Sequence, residues 1–129
     1  MPRVIVLDPL SEDGLKLLKA AGNIEFEVRT GLSGEDLKKA LAESDGAICR
    51  SGVKITAQAL AGNRRLKAIA RAGVGTDNID KEAATRLGIV VMNTPGGNTI
   101  STAEQTIALM LALSRNLHPA YQSLIEGRW

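Results

Sequence analysis

Short apolar runs alternate with amphipathic stretches up to Met92, and this rhythm limits the folds open to the chain. The runs have the length and composition of buried strands, and the stretches between them carry apolar residues at helical spacing. Such an alternation implies right-handed crossovers and a parallel sheet covered by helices on both faces. We therefore predict an α/β fold, a flavodoxin-like doubly wound five-stranded parallel sheet of order 2-1-3-4-5. The predicted strands are residues 4–7, 26–29, 47–49, 66–70 and 89–92.

Four helices are predicted between these strands from their spacing and end signals. Ser33 followed by Asp36 indicates that the second helix begins with a capping box. The predicted helices cover residues 11–21, a segment from 33 that carries Leu37, Ala40 and Leu41, residues 55–61 and residues 80–87.

The sequence changes character after the fifth strand. Residues 93–98 form a turn-rich hinge, and Ser101 with Glu104 has the spacing of a capping box that opens a long apolar helix. This helix is apolar on nearly every side, so we expect helix 100–115 to fold back on the sheet or to pair with a second copy in a homodimer. A last short helix is predicted from Pro119 to Gly127. The expected division is a substrate-binding domain over 1–98 and C-terminal crossover helices over 99–129, and the ending on Trp129 is typical of a truncated chain.

Composition argues against several partners. Aromatic residues make up 2% of the sequence, and 16 basic and 14 acidic residues are mixed along it to a net charge of +2. A nucleic-acid partner is not expected from this pattern. The longest apolar stretch is too short to span a bilayer, so no membrane partner is expected either. Cys49, the single cysteine, excludes an internal disulfide, and with no signal peptide at the N-terminus we expect a cytoplasmic protein.

The segment from Gly73 to Asn78 nearly matches the GxGxxG pattern of a dinucleotide-binding turn. That turn needs a third glycine, a place after the first strand, and an acid about 20 residues further on. Here the third position is Asn78, the loop follows the fourth strand, and no acid ends the fifth strand. The segment is therefore not predicted to bind a dinucleotide.

Two arginines indicate a smaller anionic ligand. Arg71 ends the fourth predicted strand, and Arg50 holds the same place after the third, followed by Ser51 and Gly52. Ligands bind at the carboxyl ends of strands in open α/β sheets, and the arginine fork suits phosphate and carboxylate groups. Gly73 and Gly75 would let backbone N–H groups turn toward such an anion. The alternative is that both arginines are solvated and pair with Asp45 or Asp77.

Other reactive residues have simpler interpretations, and no catalytic or metal-binding residue is predicted. His118 is the single histidine and precedes Pro119, so we expect a surface turn residue rather than a base. Cys49 is expected to be a small buried hydrophobe. Asp8 ends the first strand as an acid does in receiver domains, but the third strand lacks the aspartate that those domains need. The turn after Asp8 also lacks the glycine and threonine pattern of a flavin phosphate loop.

The stretch 66–98, with the sequence ARAGVGTDNID followed by GIVVMNTPGGN, resembles the D-isomer-specific 2-hydroxyacid dehydrogenases. The same resemblance includes Cys49-Arg50-Ser51, the helix start at 101–104 and the segment 126–129, so it covers essentially the whole sequence. The motif Arg71-Ala72-Gly73 narrows the resemblance to the branch of the family that oxidises 3-phosphoglycerate with NAD.

The resemblance implies a role for each site residue. The substrate phosphate would bind to Arg50 and Arg71, and the substrate carboxylate would bind to the amides of the glycine loop. Val74 would lie near the nicotinamide, and Asn98 would lie at the cleft where the chain passes to a cofactor domain. The implied substrate-binding residues are Arg50, Ser51, Gly52, Arg71, Gly73, Val74, Gly75 and Asn98.

The resemblance also implies what this chain lacks. The family's own GxGxxG, its NAD-selecting acid and its catalytic Arg, Glu and His have no counterpart in the 129 residues. We therefore expect no NAD bound by this chain alone, no catalysis, and weak binding of a small phosphorylated hydroxyacid. Two alternatives remain open: a free-standing flavodoxin-like binding or oligomerisation module, and a relative that acts on glycerate or hydroxypyruvate.

Overall fold

The computed structural model describes residues 1–128, and within them five short strands form one parallel sheet. The strand order is β2-β1-β3-β4-β5, as predicted. The predicted α/β doubly wound fold is thus confirmed. The strands are β1 Arg3–Val6, β2 Glu25–Val28, β3 Gly46–Cys49, β4 Ala68–Arg71 and β5 Val90–Met92. The helices are α1 Glu12–Ala20, α2 Gly34–Ala42, α3 Ala57–Leu60, α4 Lys81–Arg86, α5 Thr99–Ser114 and α6 Leu117–Ile125.

The chain divides into two compact units. The first, Met1–Pro95, contains the sheet and α1 to α4, and the second, from Gly96 on, contains α5 and α6. None of the helices in residues 1–128 is long and apolar enough to cross a membrane.

One face of the sheet carries the hydrophobic core. Alternate strand residues such as Ile5, Ala47 and Ile69 are buried on this face, because successive side chains of a strand point to opposite sides. They belong to one cluster with buried residues of α2, α3 and α4. The helix residues of that cluster are Leu37, Ala40, Leu41, Ala59, Leu60, Ala83 and Ala84.

The other face of the sheet is covered unevenly, with Val6 of β1 fully buried there. Ile48 and Ala70 are only half-buried there, and Val90 and Met92 of the edge strand are 58% and 49% exposed. Crossovers from β2 onward all run in one direction along the sheet, so right-handedness puts α2, α3 and α4 on the same face. Only α1 has a crossover that runs the other way, and none of its residues is buried. The first unit thus places three helices on one face and α1 on the other, so the predicted cover of both faces is present but unequal.

Side-chain caps fix three helix starts in the first unit. Ser11 accepts the N–H of Gly14, Thr56 accepts that of Ala59, and Asp80 accepts that of Ala83 at 2.8 Å. These bonds satisfy N–H groups that have no partner inside the helix.

The predicted capping box at Ser33 is not formed. Ser33 holds the N-cap position of α2 but makes no side-chain cap hydrogen bond. The chain enters this helix through Gly34 at a φ of +54°, a left-handed conformation that favours glycine.

The second unit also departs from the predicted helix boundaries. Asn98 is the N-cap of α5, and Ser101 lies inside the first turn, where its hydroxyl donates to the carbonyl oxygen of Asn98 at 3.1 Å. The predicted start at Ser101 was therefore too late. Pro119 is the third residue of α6 rather than the first, and His118 is an exposed residue of that helix.

Candidate functional site

The two arginines reach the same edge of the sheet. Cys49 at the end of β3 pairs in register with Arg71 at the end of β4, and Arg50 follows directly after Cys49. Because β3 and β4 are parallel neighbours, the loops after them leave the sheet side by side at its carboxyl edge. We call residues 50–53 the first loop and residues 72–78 the second loop.

The first loop wraps around the carboxylate of Asp8. Asp8 follows β1 and is only 8% exposed, and its Oδ2 accepts the N–H of Arg50 at 2.6 Å and that of Val53 at 3.4 Å. Gly52 passes so close that a Cβ there would overlap Oδ1 of Asp8. The guanidinium of Arg50 is exposed and makes one long contact, from Nη1 to the carbonyl oxygen of Pro9 at 3.4 Å. Asp8 thus shapes this loop from beneath, a role that the sequence did not indicate.

The second loop carries the guanidinium of Arg71 across its glycines. Nε of Arg71 donates to Oδ1 of Asn78 at 2.9 Å. A Cβ at Gly73 would overlap Nη1 of Arg71, and one at Gly75 would lie 3.8 Å from the same atom. Neither glycine has a positive φ. Gly73 therefore leaves space for the guanidinium, whereas a Cβ at Gly75 would first meet Oδ1 of Asp77, at 2.8 Å.

Residues after β5 hold the second loop from its other side. Nδ2 of Asn93 donates to the carbonyl oxygen of Val74 at 2.7 Å. The N–H of Thr94 donates to the carbonyl oxygen of Gly73 at 3.0 Å. The N–H of Gly73 donates to the carbonyl oxygen of Arg71 at 2.9 Å, so this amide is already engaged. Sequence reasoning assigned no part to Asn93 or Thr94.

Several donors on this edge point to no acceptor. In the described part of the chain, the N–H groups of Ser51, Gly52, Val74 and Gly75 make no hydrogen bond. All four residues are exposed. Two adjacent loops therefore offer free N–H groups beside two guanidinium groups, a donor set that matches a small anion with more than one negative group.

The alternative pairing of the arginines with Asp45 or Asp77 is not formed. Among residues 1–128, neither Arg50 nor Arg71 takes part in an ion pair. Asp45 precedes β3, at the opposite edge of the sheet, and binds Nε and Nη2 of Arg65 at 3.1 Å and 3.0 Å. This fork, together with the N–H of Arg3, lowers the pKa of Asp45 to about 2.

Two further residues that the sequence singled out are Asn98 and Cys49. Asn98 belongs to the second unit, where its carbonyl oxygen accepts from Ser101 and Thr102. Cys49 is fully buried, and burial raises the pKa of its thiol to about 11. Residues 1–128 contain no group of three or more His, Cys, Asp or Glu that could hold a metal ion.

Two concavities of the first unit lie away from the side chains of Arg50 and Arg71. A cavity of about 580 Å³ lies between the start of α2 and residues 52–54, and Gly52 and Lys54 belong to its lining. Another, near Asp45 and Arg65, opens at the amino edge. The two loops present their donors on an open surface, so a ligand there depends on polar contacts rather than on enclosure.

These features define the class of the first unit: a doubly wound α/β domain with two arginines and free N–H groups at its carboxyl edge. The family model described as D-isomer specific 2-hydroxyacid dehydrogenase, catalytic domain, matches residues 4–126. The chain therefore belongs to the D-isomer-specific 2-hydroxyacid dehydrogenases, and the resemblance drawn from the sequence is confirmed.

Individual relatives agree with this family. The D-3-phosphoglycerate dehydrogenases of Archaeoglobus fulgidus and Methanocaldococcus jannaschii are both 47% identical, over 98% and 100% of this chain and 24% of each relative. The chain thus spans about a quarter of the length of these curated relatives.

Solved structures give the same picture. The PH0520 protein of Pyrococcus horikoshii OT3 superposes with a TM-score of 0.84 at 36% identity, over 100% of this chain and 38% of that one. The NAD⁺-bound 3-phosphoglycerate dehydrogenase of Entamoeba histolytica has a TM-score of 0.74 at 33% identity, over 86% of this chain and 38% of that one. These enzyme relatives argue against a module without an enzymatic parent.

Proposed function

We propose that this chain is the substrate-binding part of an NAD-dependent D-3-phosphoglycerate dehydrogenase of the cytoplasm. Such an enzyme oxidises 3-phosphoglycerate to 3-phosphohydroxypyruvate in serine biosynthesis. The observation that carries the proposal is the paired edge of β3 and β4, where Arg50 and Arg71 have no carboxylate partner in the described chain. The identity of 47% to two phosphoglycerate enzymes supports the same assignment.

Each loop has its own part in this proposal. Arg50 and Arg71 bind the phosphate, and the N–H groups of Ser51 and Gly52 add donors beside Arg50. The free N–H groups of Val74 and Gly75, on the loop that begins at Gly73, bind the carboxylate.

Val74 and Asn98 have roles that require the whole parent enzyme. The side chain of Val74, 41% exposed, contacts the nicotinamide. Asn98 keeps the role that the family resemblance gives it, a contact with the substrate. In this assignment residues 1–98 form the substrate domain, and residues 99–129 are crossover helices toward an NAD-binding domain.

The 129 residues alone bind this substrate without turning it over. Hydride transfer needs a cofactor held against the substrate and a base at its hydroxyl, and the family residues for both have no counterpart here. A charge-assisted hydrogen bond contributes roughly 1.5–3 kcal/mol, so two arginines on an open edge give a Kd of about a millimolar.

A comparison of ligands tests this proposal. The isolated chain is titrated with 3-phosphoglycerate, D-glycerate and inorganic phosphate while backbone amides are followed by NMR, and NAD reduction is assayed in parallel. We expect 3-phosphoglycerate to bind at least about tenfold more tightly than D-glycerate, because the phosphate contacts contribute more than 1.4 kcal/mol. No NAD reduction is expected.

Each opposing result has a distinct meaning. Equal affinity for D-glycerate would contradict the phosphate role and favour a relative that acts on glycerate or hydroxypyruvate. No response at tens of millimolar 3-phosphoglycerate would contradict the anion site. Reduction of NAD would contradict the inactivity of the chain.

The apolar surface of α5 supports a proposal about partners. No residue of this helix is buried, and Met110 and Leu113 are 65% and 78% exposed. Apolar surface left in water forgoes roughly 25 cal/mol per Å². We propose that two copies of the chain pair through α5.

A further inference from the structure

Asn78 connects the two loops through one side chain. Its Nδ2 donates to the carbonyl oxygens of Arg50 and Val53 in the first loop, at 2.7 Å and 2.8 Å. Its Oδ1 accepts from Nε of Arg71 at 2.9 Å. In the reverse orientation, the amide nitrogen of Asn78 would face the donor Nε of Arg71, and the amide oxygen would face two carbonyl oxygens. The hydrogen-bond network therefore fixes the positions of the amide nitrogen and oxygen.

This contact orients the guanidinium of Arg71. With Nε held by Asn78, the two Nη groups of Arg71 remain for a ligand, and Nη1 lies against the Gly73 backbone. A free arginine side chain loses rotamer entropy when it binds an anion, and a side chain that is already held loses less. The same amide fixes the first loop, whose N–H groups at Ser51 and Gly52 are free in the described chain.

The chemistry of the position requires a neutral amide. A carboxylate would accept from Arg71, but it would cancel the guanidinium charge and repel the carbonyl oxygens of Arg50 and Val53. A hydrophobic side chain would leave three polar groups without this partner. Asparagine donates twice and accepts once while leaving the cation free for an anion.

We propose that Asn78 is a positioning residue of the anion site, which acts by presenting Arg71 and by joining the two loops into one binding surface. This inference rests on the proposed function, because it requires that Arg71 bind the phosphate of the substrate. Asn78 occupies the third-glycine position of the near-match to GxGxxG, so the residue that rules out a dinucleotide turn has its own function.

A double-mutant cycle tests how Asn78 acts. The affinity for 3-phosphoglycerate is measured by NMR titration for the full 129-residue chain, Asn78→Ala, Arg71→Lys, and the double variant. Lysine keeps the positive charge and a measurable affinity, but it has neither Nε–H nor a planar fork to orient. We expect Asn78→Ala to weaken binding roughly fivefold in the original chain and less than twofold in the Arg71→Lys background.

Asn63→Ala serves as the matched control. Asn63 is a buried asparagine whose Oδ1 accepts the N–H groups of Arg65 and Leu66 at the amino edge of the sheet. Loss of the Asn63 side chain lowers stability but changes neither loop. The Asn63→Ala variant should therefore bind 3-phosphoglycerate with the affinity of the unmodified chain.

A second measurement needs no variant. The Nε–H proton of Arg71 should exchange with water more slowly than that of the exposed Arg64, since only the former donates to Asn78. Equal exchange rates would overturn the inference, even if Asn78→Ala failed to fold.

The possible outcomes separate this inference from the proposed function. If the unmodified chain binds and Asn78→Ala binds equally well, or loses affinity equally in both backgrounds, Asn78 does not act through Arg71. If the unmodified chain does not bind 3-phosphoglycerate at all, the proposed function fails first and this inference fails with it.

Discussion

At the scale of single residues, the site depends on close approach between small residues and polar side chains. Gly52 makes room for the carboxylate of Asp8, and Gly73 makes room for the guanidinium of Arg71. Arg50 and Arg71 were identified from sequence because strand ends carry ligands in this kind of sheet. The contacts of Asp8 and Asn78 with the first loop were missed because they span 42 and 28 residues to Arg50, and only the fold brings these groups together.

A methyl group at Gly52 should disturb the first loop. Its Cβ would lie 3.3 Å from Cγ of Asp8 and overlap Oδ1, and that carboxylate is buried and held by the N–H of Arg50. We expect Gly52→Ala to lower the free energy of unfolding by about 1–3 kcal/mol, the usual cost of overpacking. Urea unfolding followed by circular dichroism measures this change.

Gly96→Ala is the control for that substitution. Gly96 has no neighbour within 4 Å of an added Cβ and no positive φ, so its variant should match the original chain or exceed it slightly. A Gly52→Ala chain as stable as the Gly96→Ala chain would contradict the close approach to Asp8.

The thiol of Cys49 should be unreactive in the folded chain. Burial, reinforced by the charge of Asp8 and partly offset by Arg71, raises the pKa of Cys49 from 9.0 to about 11. Two pKa units reduce the thiolate fraction at pH 8 about a hundredfold, and only the thiolate attacks alkylating reagents. Alkylation of the native chain should therefore be at least about a hundredfold slower than alkylation in denaturant.

The raised pKa of Cys49 also determines how the free energy of unfolding changes with pH. Below pH 9 the thiol is neutral in both states, so the shift has no effect there. Between pH 9 and 11 the unfolded thiol loses its proton first, and the free energy of unfolding should fall as pH rises. A Cys49→Ala chain with the same decline over this range would contradict the assignment to Cys49.

At the scale of secondary-structure elements, hydrophobic periodicity was a sufficient guide to type and order. All five strands and their parallel order follow from apolar runs separated by helical stretches. Helix starts were less predictable, because a serine followed by an acid three residues later forms a capping box only when the backbone presents the hydroxyl correctly. At Ser33 no side-chain cap bond forms, with Gly34 at positive φ directly after it, and at Ser101 the helix has already begun.

The helix α5 has no buried residue and carries several exposed apolar side chains, and its pairing is testable. We expect the chain to sediment as a dimer at about 100 µM, and Met110→Lys with Leu113→Lys to make it monomeric, because a buried lysine charge costs several kcal/mol. Analytical ultracentrifugation measures the change.

The control for this experiment lies on another helix. Leu17 of α1 is 74% exposed, comparable to Leu113 at 78%, so Leu17→Lys removes similar apolar surface elsewhere. The Leu17→Lys variant should therefore remain a dimer. A chain that is monomeric before any substitution would contradict pairing through α5.

At the scale of the whole molecule, the sequence predicted the family and the architecture but not the unequal cover of the sheet. The strand sequences are continuous apolar runs whether one face of the sheet is packed or both are. The apolar pattern alone therefore does not predict that Val90 and Met92 are about half exposed. The joining of the two loops was equally hidden, since Asn78 and Arg50 are 28 residues apart.

The central claim is that the loops after β3 and β4 form one anion site. The most direct test is an NMR map of amide shifts on adding 3-phosphoglycerate to the 129-residue chain, with Arg71→Ala as the control. We expect amides at 50–52 and 73–76 to shift together with one dissociation constant, and both sets to stay still in the variant at the same ligand concentration. Shifts confined to one loop, or shifts that persist unchanged in Arg71→Ala, would contradict it.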